Sequence, residues 1–260
     1  MSKIDCTTYS GEKSLLKLRL EMLNPHVDCF VILESGITFS GKEKPISLMK
    51  DLADEGLTRY KAKMVHLVVE DFYDPAIMRM MARDVEFETT AHPFKMAYYQ
   101  KESLQHAIAP VKDSDIIYYG DFDEIYVPFD ADEPTKCEQV MYTYYLNLRT
   151  SEPWKGTVRA TAGEFKRYGF NNLRKNVHTS HKNGWHFSNQ GGLESLKRKI
   201  ASYDHQEVNI PEVTNSLEER IKNKQDFLGR DYKLWIDEMD WPKYLKDNRE
   251  EYKHLLCKEM

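Results

Sequence analysis

Asp121 and Asp123 stand two residues apart in the segment Tyr118-Tyr119-Gly120-Asp121-Phe122-Asp123-Glu124-Ile125, with a third acid directly behind them. In an extended loop residues i and i+2 point to the same side, so both carboxylates can face one ion. A hard divalent cation, Mn²⁺ or Mg²⁺, takes carboxylate oxygens and keeps positions open for phosphate oxygens. Held in this way it acts as a Lewis acid on a departing diphosphate, the charge that builds when a sugar leaves a nucleoside diphosphate. A solvated acidic turn is the plainer reading of the same residues.

Further along, Gly184-Trp185-His186-Phe187-Ser188 offers an imidazole, His186, to complete a cation's shell and an indole, Trp185, to stack on a sugar or base. A satisfied structural His and Trp pair would look the same. Gly191-Gly192 precedes a helical segment whose free N–H groups suit an anion, with Lys197, Arg198 and Lys199 nearby; an ordinary tight turn with a solvated basic face is the alternative. Lys199 and Trp185 are thus substrate-binding candidates, as are Glu34 and Ser35, which by position at the end of an apolar run can contact a nucleotide or merely cap a loop. Deprotonating an acceptor hydroxyl needs a carboxylate or imidazole, and His205, Glu207 and Glu194 are the candidates for that base, with a helix-terminating polar turn the bland account of Asp204-His205-Gln206-Glu207.

Composition narrows the classes. With 260 residues and 41% hydrophobic content the chain can bury a substantial core, which excludes global disorder. A net charge of −5 with scattered basic residues marks no nucleic-acid footprint. The 12% aromatic content suits sugar and nucleoside sites, although most such rings serve as core. Cys6, Cys29, Cys137 and Cys257 lie far apart, with neither a C-x-x-C pair nor close His partners, and read as reduced thiols. The chain reaches a strand pattern directly after Met1, with neither a secretory apolar region nor a run long enough to span a bilayer, so the expectation is a soluble cytoplasmic protein.

The elements that must position these groups follow from periodicity. Residues 3–9 form a β-prone run; Leu16, Leu20 and Leu23 recur at helical spacing until Pro25; Cys29-Phe30-Val31-Ile32-Leu33 reads as a strand buried on both faces. A helix over about 46–59, a strand over Met64–Val69, a helix from Pro93 to about Ala109 and a strand over Asp115–Tyr119 continue the alternation. The region from Asp71 to Pro93, rich in Met and acidic residues, reads as a mobile loop or an insertion. The last of these strands ends on Gly120-Asp121, and ligands of parallel sheets bind beyond the carboxyl ends of the strands. After Pro128 the texture changes: residues 139–148 and 155–162 alternate with period two as antiparallel strands, Gly184–Phe187 reads as a short strand, and a helix follows to about Tyr203. The charged part from Asn215 on reads as mainly helical, anchored by Trp235 and Trp241. Neither linker nor repeat interrupts the chain, so a single domain over 1–260 is expected, with a nucleotide side over about 1–128 and an acceptor side over about 129–260.

Several segments together resemble glycosyltransferase family 17, whose best-known members are the β-1,4-mannosyl-glycoprotein N-acetylglucosaminyltransferases. Tyr9-Ser10-Gly11-Glu12 through Leu20 is similar to the family's opening, and Val31-Ile32-Leu33-Glu34-Ser35 with Thr38-Phe39-Ser40-Gly41-Lys42 continues it. Asp121-Phe122-Asp123-Glu124-Ile125 looks like its acidic motif. Gly184-Trp185-His186-Phe187-Ser188, Lys199-Ile200-Ala201-Ser202-Tyr203 with His205-Gln206-Glu207, and Pro242-Lys243-Tyr244-Leu245 resemble its later blocks. The resemblance implies an α/β, GT-A-like fold with a mostly parallel central sheet, flanking helices, a smaller antiparallel acceptor-side sheet and a helical C-terminus. It implies an inverting transfer from a UDP-sugar, UDP-N-acetylglucosamine by expectation, to a glycan or other hydroxyl acceptor, with the divalent cation at Asp121 and Asp123. A phosphatase of the haloacid dehalogenase type also places D-x-D after a strand, but near the N-terminus and with Thr or Val soon after, whereas Glu124-Ile125 follows here at mid-chain. A non-catalytic sugar-binding module and a nucleotidyltransferase of similar fold are the remaining alternatives.

Overall fold

The computed structural model describes residues 1–258 apart from 71, 73 and 85–90. Among the described residues one sheet of ten strands runs through the protein. The strands are β1 (Lys3–Tyr9), β2 (Cys29–Ser35), β3 (Met64–Val69), β4 (Ile116–Tyr119), β5 (Glu124–Ile125), β6 (Thr135–Thr143), β7 (Leu148–Thr150), β8 (Trp154–Thr161), β9 (Ser180–Ser188) and β10 (Leu234–Ile236). The helices are α1 (Lys13–Leu23), α2 (Leu48–Asp54), α3 (Pro75–Asp84), α4 (His92–Glu102), α5 (Gln105–Ile108), α6 (Ala162–Tyr168), α7 (Phe170–Asn176), α8 (Gly192–Ser202), α9 (Pro211–Thr214), α10 (Leu217–Lys222) and α11 (Lys243–Asp247).

Strand order is β10-β7-β6-β8-β4-β1-β2-β3. The run β4-β1-β2-β3 is parallel, as its helical crossovers require. The α/β class expected of the sequence is found, and the antiparallel strands continue the same sheet through the pairing of β8 with β4. β2 shows why its apolar run holds no alternation: Phe30 and Ile32 enter one core cluster while Val31 and Leu33 enter the other, on the opposite face. α1 packs Leu15, Leu16, Leu18, Leu20 and Leu23 onto the first of these clusters.

Several elements differ from expectation for local reasons. The helix expected over 46–59 stops at Asp54 because Gly56 takes φ +68° and the Leu57 and Gly56 N–H groups fold back onto the carbonyls of Leu52 and Ala53. A short 3₁₀ turn, Thr58–Lys63, follows it. The region from Asp71 to Pro93 holds α3 and the start of α4; its residues 71, 73 and 85–90 lie outside the described residues. β6 ends at Thr143, where Tyr144 adopts φ +64° and donates its N–H to Ser188.

The largest correction concerns the C-terminal part. From Asn215 on, the only helices among the described residues are α10, α11 and a 3₁₀ turn, and β10 pairs with β7 instead. Charged residues favour helix, but Gly229 at φ +76° and Pro242 interrupt it. Trp241 does anchor the segment, buried and donating Nε1–H to the Leu146 carbonyl at 2.8 Å. Trp235 does not: it lies exposed on the edge strand under the Arg149 guanidinium.

Candidate functional site

β4 delivers the chain to Gly120, and the acidic loop then turns into β5. Its backbone is held by Arg19, a wholly buried residue of α1. The guanidinium grips Asp5 of β1 through Nε at 3.1 Å and Nη2 at 2.6 Å. Its Nη1 donates to the carbonyls of Asp121, Phe122 and Glu124 at 3.2, 3.0 and 2.7 Å. The fork of the guanidinium allows one side chain to satisfy all five contacts. Pairing of β5 with β9 sets Glu124 opposite His186, and Phe187 N–H donates to the Asp123 carbonyl at 2.8 Å.

The two aspartates of the loop meet different cations. Asp121 meets Arg174 of α7 at 2.7 Å and Lys101 of α4 at 3.5 Å. Asp123 meets Lys199 of α8 at 3.1 Å through one oxygen and His186 Nε2 at 3.3 Å through the other. Burial opposes both charges, yet Arg174 with Lys101 holds Asp121 down at about 2, and Lys199 with His186 holds Asp123 well below the usual carboxylate range. Both are therefore ionised across the physiological range.

Glu124 plays a different part from the two aspartates. Its wholly buried carboxylate accepts from Trp154 Nε1 at 2.6 Å, Thr157 Oγ1 at 3.1 Å and Arg174 at 2.5 and 3.0 Å. A Cβ on Gly120 would stand 2.5 Å from its Oε2, and one on Gly156 at 2.5 Å from its Cδ, so both positions need glycine to leave room for this carboxylate. Glu124 thus fixes Arg174, which in turn fixes Asp121.

The remaining sequence candidates separate. His186 and Lys199 join the aspartates. Glu34 is turned away: its buried carboxylate accepts from the Ser47 and Leu48 N–H groups at the start of α2 and meets His66. Ser35 accepts from Ile37 N–H in a tight turn. Trp185 points to the opposite face of β9 from its neighbour His186 and donates to the Asp240 carbonyl at 2.6 Å. Glu194 pairs with Lys197 at 3.0 Å in the first turn of α8, and His205 Nδ1 pairs with Glu207 at 2.7 Å, all four side chains being largely open to solvent.

Residues 2–259 match the family described as glycosyltransferase family 17. The chain belongs to glycosyltransferase family 17. No curated protein matches it. Among solved structures, the galactosyltransferase LgtC in complex with donor and acceptor sugar analogues is similar over 71% of this chain and 72% of that chain, at 11% identity and a TM-score of 0.35. At that level the likeness carries no argument about this transferase's chemistry. No helix among the transferase's described residues is long and apolar enough to cross a membrane.

Four residues of the transferase's site were not among the candidates read from the sequence. Arg19 had a signal, since it falls four residues after Leu15 and three after Leu16, on the apolar face of α1. Arg174 and Lys101 had none, being brought in by helices distant in the chain. Glu12, before α1, is the fourth. Its half-buried carboxyl accepts the Ser10 N–H at 2.6 Å and is pushed up to about 7, chiefly by burial, with the Asp123 charge adding and Lys199 opposing. Such a group binds a proton more readily folded than unfolded, so its contribution is present below its ordinary value of 4.5 and is lost as pH rises through about 7. We expect thermal stability measured without divalent metal to fall across that window, and the fall to flatten in Glu12→Gln. Identical slopes for the two proteins would remove Glu12 from the account.

The transferase's residues fit a divalent cation. Among the described residues no three His, Cys, Asp or Glu side chains converge as a finished metal shell. Ions of the Mg²⁺ type bound with substrate phosphates commonly take only one or two carboxylates from the protein. Asp121 and Asp123 are ionised without proton competition, and their lysine partners sit on flexible stems that can give way.

Proposed function

We propose that this transferase moves N-acetylglucosamine from UDP-N-acetylglucosamine to a hydroxyl of a glycan or other acceptor, with inversion at the anomeric carbon and with Mn²⁺ or Mg²⁺ as cofactor. The observation that carries the reading is the pair Asp121 and Asp123, held by Arg19 at the carboxyl end of β4 between Lys101 and Lys199. Asp121 and Asp123, with His186 beside Asp123, would hold the cation, which would supply positive charge to the departing diphosphate.

The chain's own groups do the rest. Lys101 and Lys199, on two sides of the loop, are placed to follow a diphosphate once the aspartates engage the ion. Arg174, locked by Glu124, keeps Asp121 from swinging away. In an inverting transfer the acceptor oxygen bonds to the anomeric carbon as its bond to UDP breaks, and the acceptor proton needs a base. Of the carboxyls named, Glu12 has proton affinity near neutrality, raised in part by the Asp123 charge, which suits it to that task. Glu207 is held below its ordinary range by His205, which weakens it as a base.

The reading is tested by UDP release from the donor without acceptor, using UDP-N-acetylglucosamine, UDP-galactose, UDP-glucose and GDP-mannose with Mn²⁺. Slow release from UDP-N-acetylglucosamine above the others is the expected result; release only from another donor overturns the sugar assigned, and none from any overturns donor activation. In the same assay His186→Ala is expected to raise the metal concentration needed for half-maximal release by roughly tenfold or more, with little change in melting temperature. Unaltered metal dependence would reduce His186 to a packing residue.

A further inference from the structure

β3 closes one end of the sheet: it pairs with β2 on one side, and no backbone group among the described residues hydrogen-bonds its other side. An unpaired edge carries a row of N–H and C=O groups that another chain can bind, and soluble proteins blunt such edges with charge, proline, brevity or a cover. The opposite edge follows that rule, since β10 has only the three residues Leu234–Ile236, set between Lys233 and Asp237. β3 does not. Its six residues, Met64-Val65-His66-Leu67-Val68-Val69, include no proline, glycine, lysine, arginine or acid. Alternation sends Val65 and Val68 to opposite faces of the sheet. They keep 44% and 37% of their surface exposed, so the edge is apolar both above and below its backbone. His66 does not supply the missing charge to the rim, because its Nε2 is turned onto the buried Glu34 carboxylate at 3.1 Å.

We infer that β3 is the contact between two copies of this chain, joined antiparallel about a two-fold axis so that the two sheets run on into one. A strand laid antiparallel to itself is self-complementary, so a second copy brings an edge of the same length and the same uncharged run. The flanking charges fit that direction. Lys61 and Lys63 precede the run and Glu70 follows it, with Lys61 and Glu70 exposed. Antiparallel pairing carries the lysine end of one strand to the Glu70 end of the other, whereas parallel pairing would set like charge against like. Main-chain hydrogen bonds supply the affinity, as in strand addition generally, and Val65 and Val68 supply apolar contact on the two faces. The two-fold uses up both edges, so the pair is closed and does not grow into a fibre. The acidic loop follows β4, which stands three strands in from this edge, and the pairing is independent of the sugar-transfer reading.

Sedimentation equilibrium of the whole protein at micromolar concentrations tests the inference, and twice the chain mass is the expected result. The double variant Val65→Lys, Val68→Lys places on this strand the charge that edges ordinarily carry, and it should return the protein to the mass of one chain. Both side chains are exposed, so the melting temperature of the separated chain should hold. Hydrogen exchange on the parent gives a second reading that needs no variant: amides of Met64–Val69 should exchange more slowly as concentration rises through the range where the pair forms. A parent at the mass of one chain throughout, a doubled mass that the two lysines leave intact, or exchange in β3 that ignores concentration would each overturn the contact. A mass that keeps climbing with concentration would overturn the closed pair.

Discussion

Asp123→Asn is expected to lower sugar transfer by on the order of 10²–10³-fold, the loss seen when one preorganised electrostatic contact to a developing charge is removed. The carboxylate is the point where Lys199 and His186 meet and where the proposed cation would bind, and the amide keeps its shape while discarding its charge. The backbone has no reason to move, because Arg19 and the β9 pairing hold the loop through carbonyls. Asp121→Asn should follow in the same direction with a smaller loss, since Arg174 remains fixed by Glu124. Turnover by either variant within a fewfold of the parent, at matched folding by circular dichroism, would detach the loop from the chemistry.

Arg19→Ala is expected to be the most destabilising single change near the site. It leaves the Asp5 carboxylate buried and, among the described residues, hydrogen-bonded by side chains only through Tyr126 OH, and it strips three loop carbonyls of a donor. Removing one partner of a buried ion pair costs about 3–5 kcal/mol, which in a protein of this size lowers the melting temperature by roughly 10 °C or more. Arg19→Lys should recover only part of this, because a single ammonium cannot reach Asp5 and three carbonyls at once. The check is calorimetric, and a melting temperature within 2–3 °C of the parent, roughly what a 1 kcal/mol change produces, would show that the clamp is not what holds the loop.

The parallel half of the sheet was legible because β1 to β4 are short apolar runs whose residues must be buried on one or both faces, a signal contained within each run. The acidic loop was legible for the same reason, since it directly follows such a run. What lay beyond reach was pairing at a distance. Nothing near Asp123 in the chain announces that β9 will set His186 beside it, and nothing near Glu124 announces Arg174, fifty residues on. Glu34 misled because an acid at a strand end looks the same whether it meets a nucleotide or caps α2 through Ser47, thirteen residues away. One local mark went unread: Thr161 and Glu164 form a reciprocal capping box that starts α6 and so leads to α7 with Arg174. In the C-terminal part, helix-favouring charge gave way to Gly229, Pro242 and the edge of β7.

The most direct test of the account is calorimetric titration of UDP-N-acetylglucosamine into the protein with and without Mn²⁺, alongside Asp121→Asn and Asp123→Asn. Binding should be strengthened by Mn²⁺ in the parent, and that strengthening should vanish in Asp123→Asn and shrink in Asp121→Asn. Equal affinity with and without metal in the parent, unchanged in both variants, would contradict a cation held by these two aspartates.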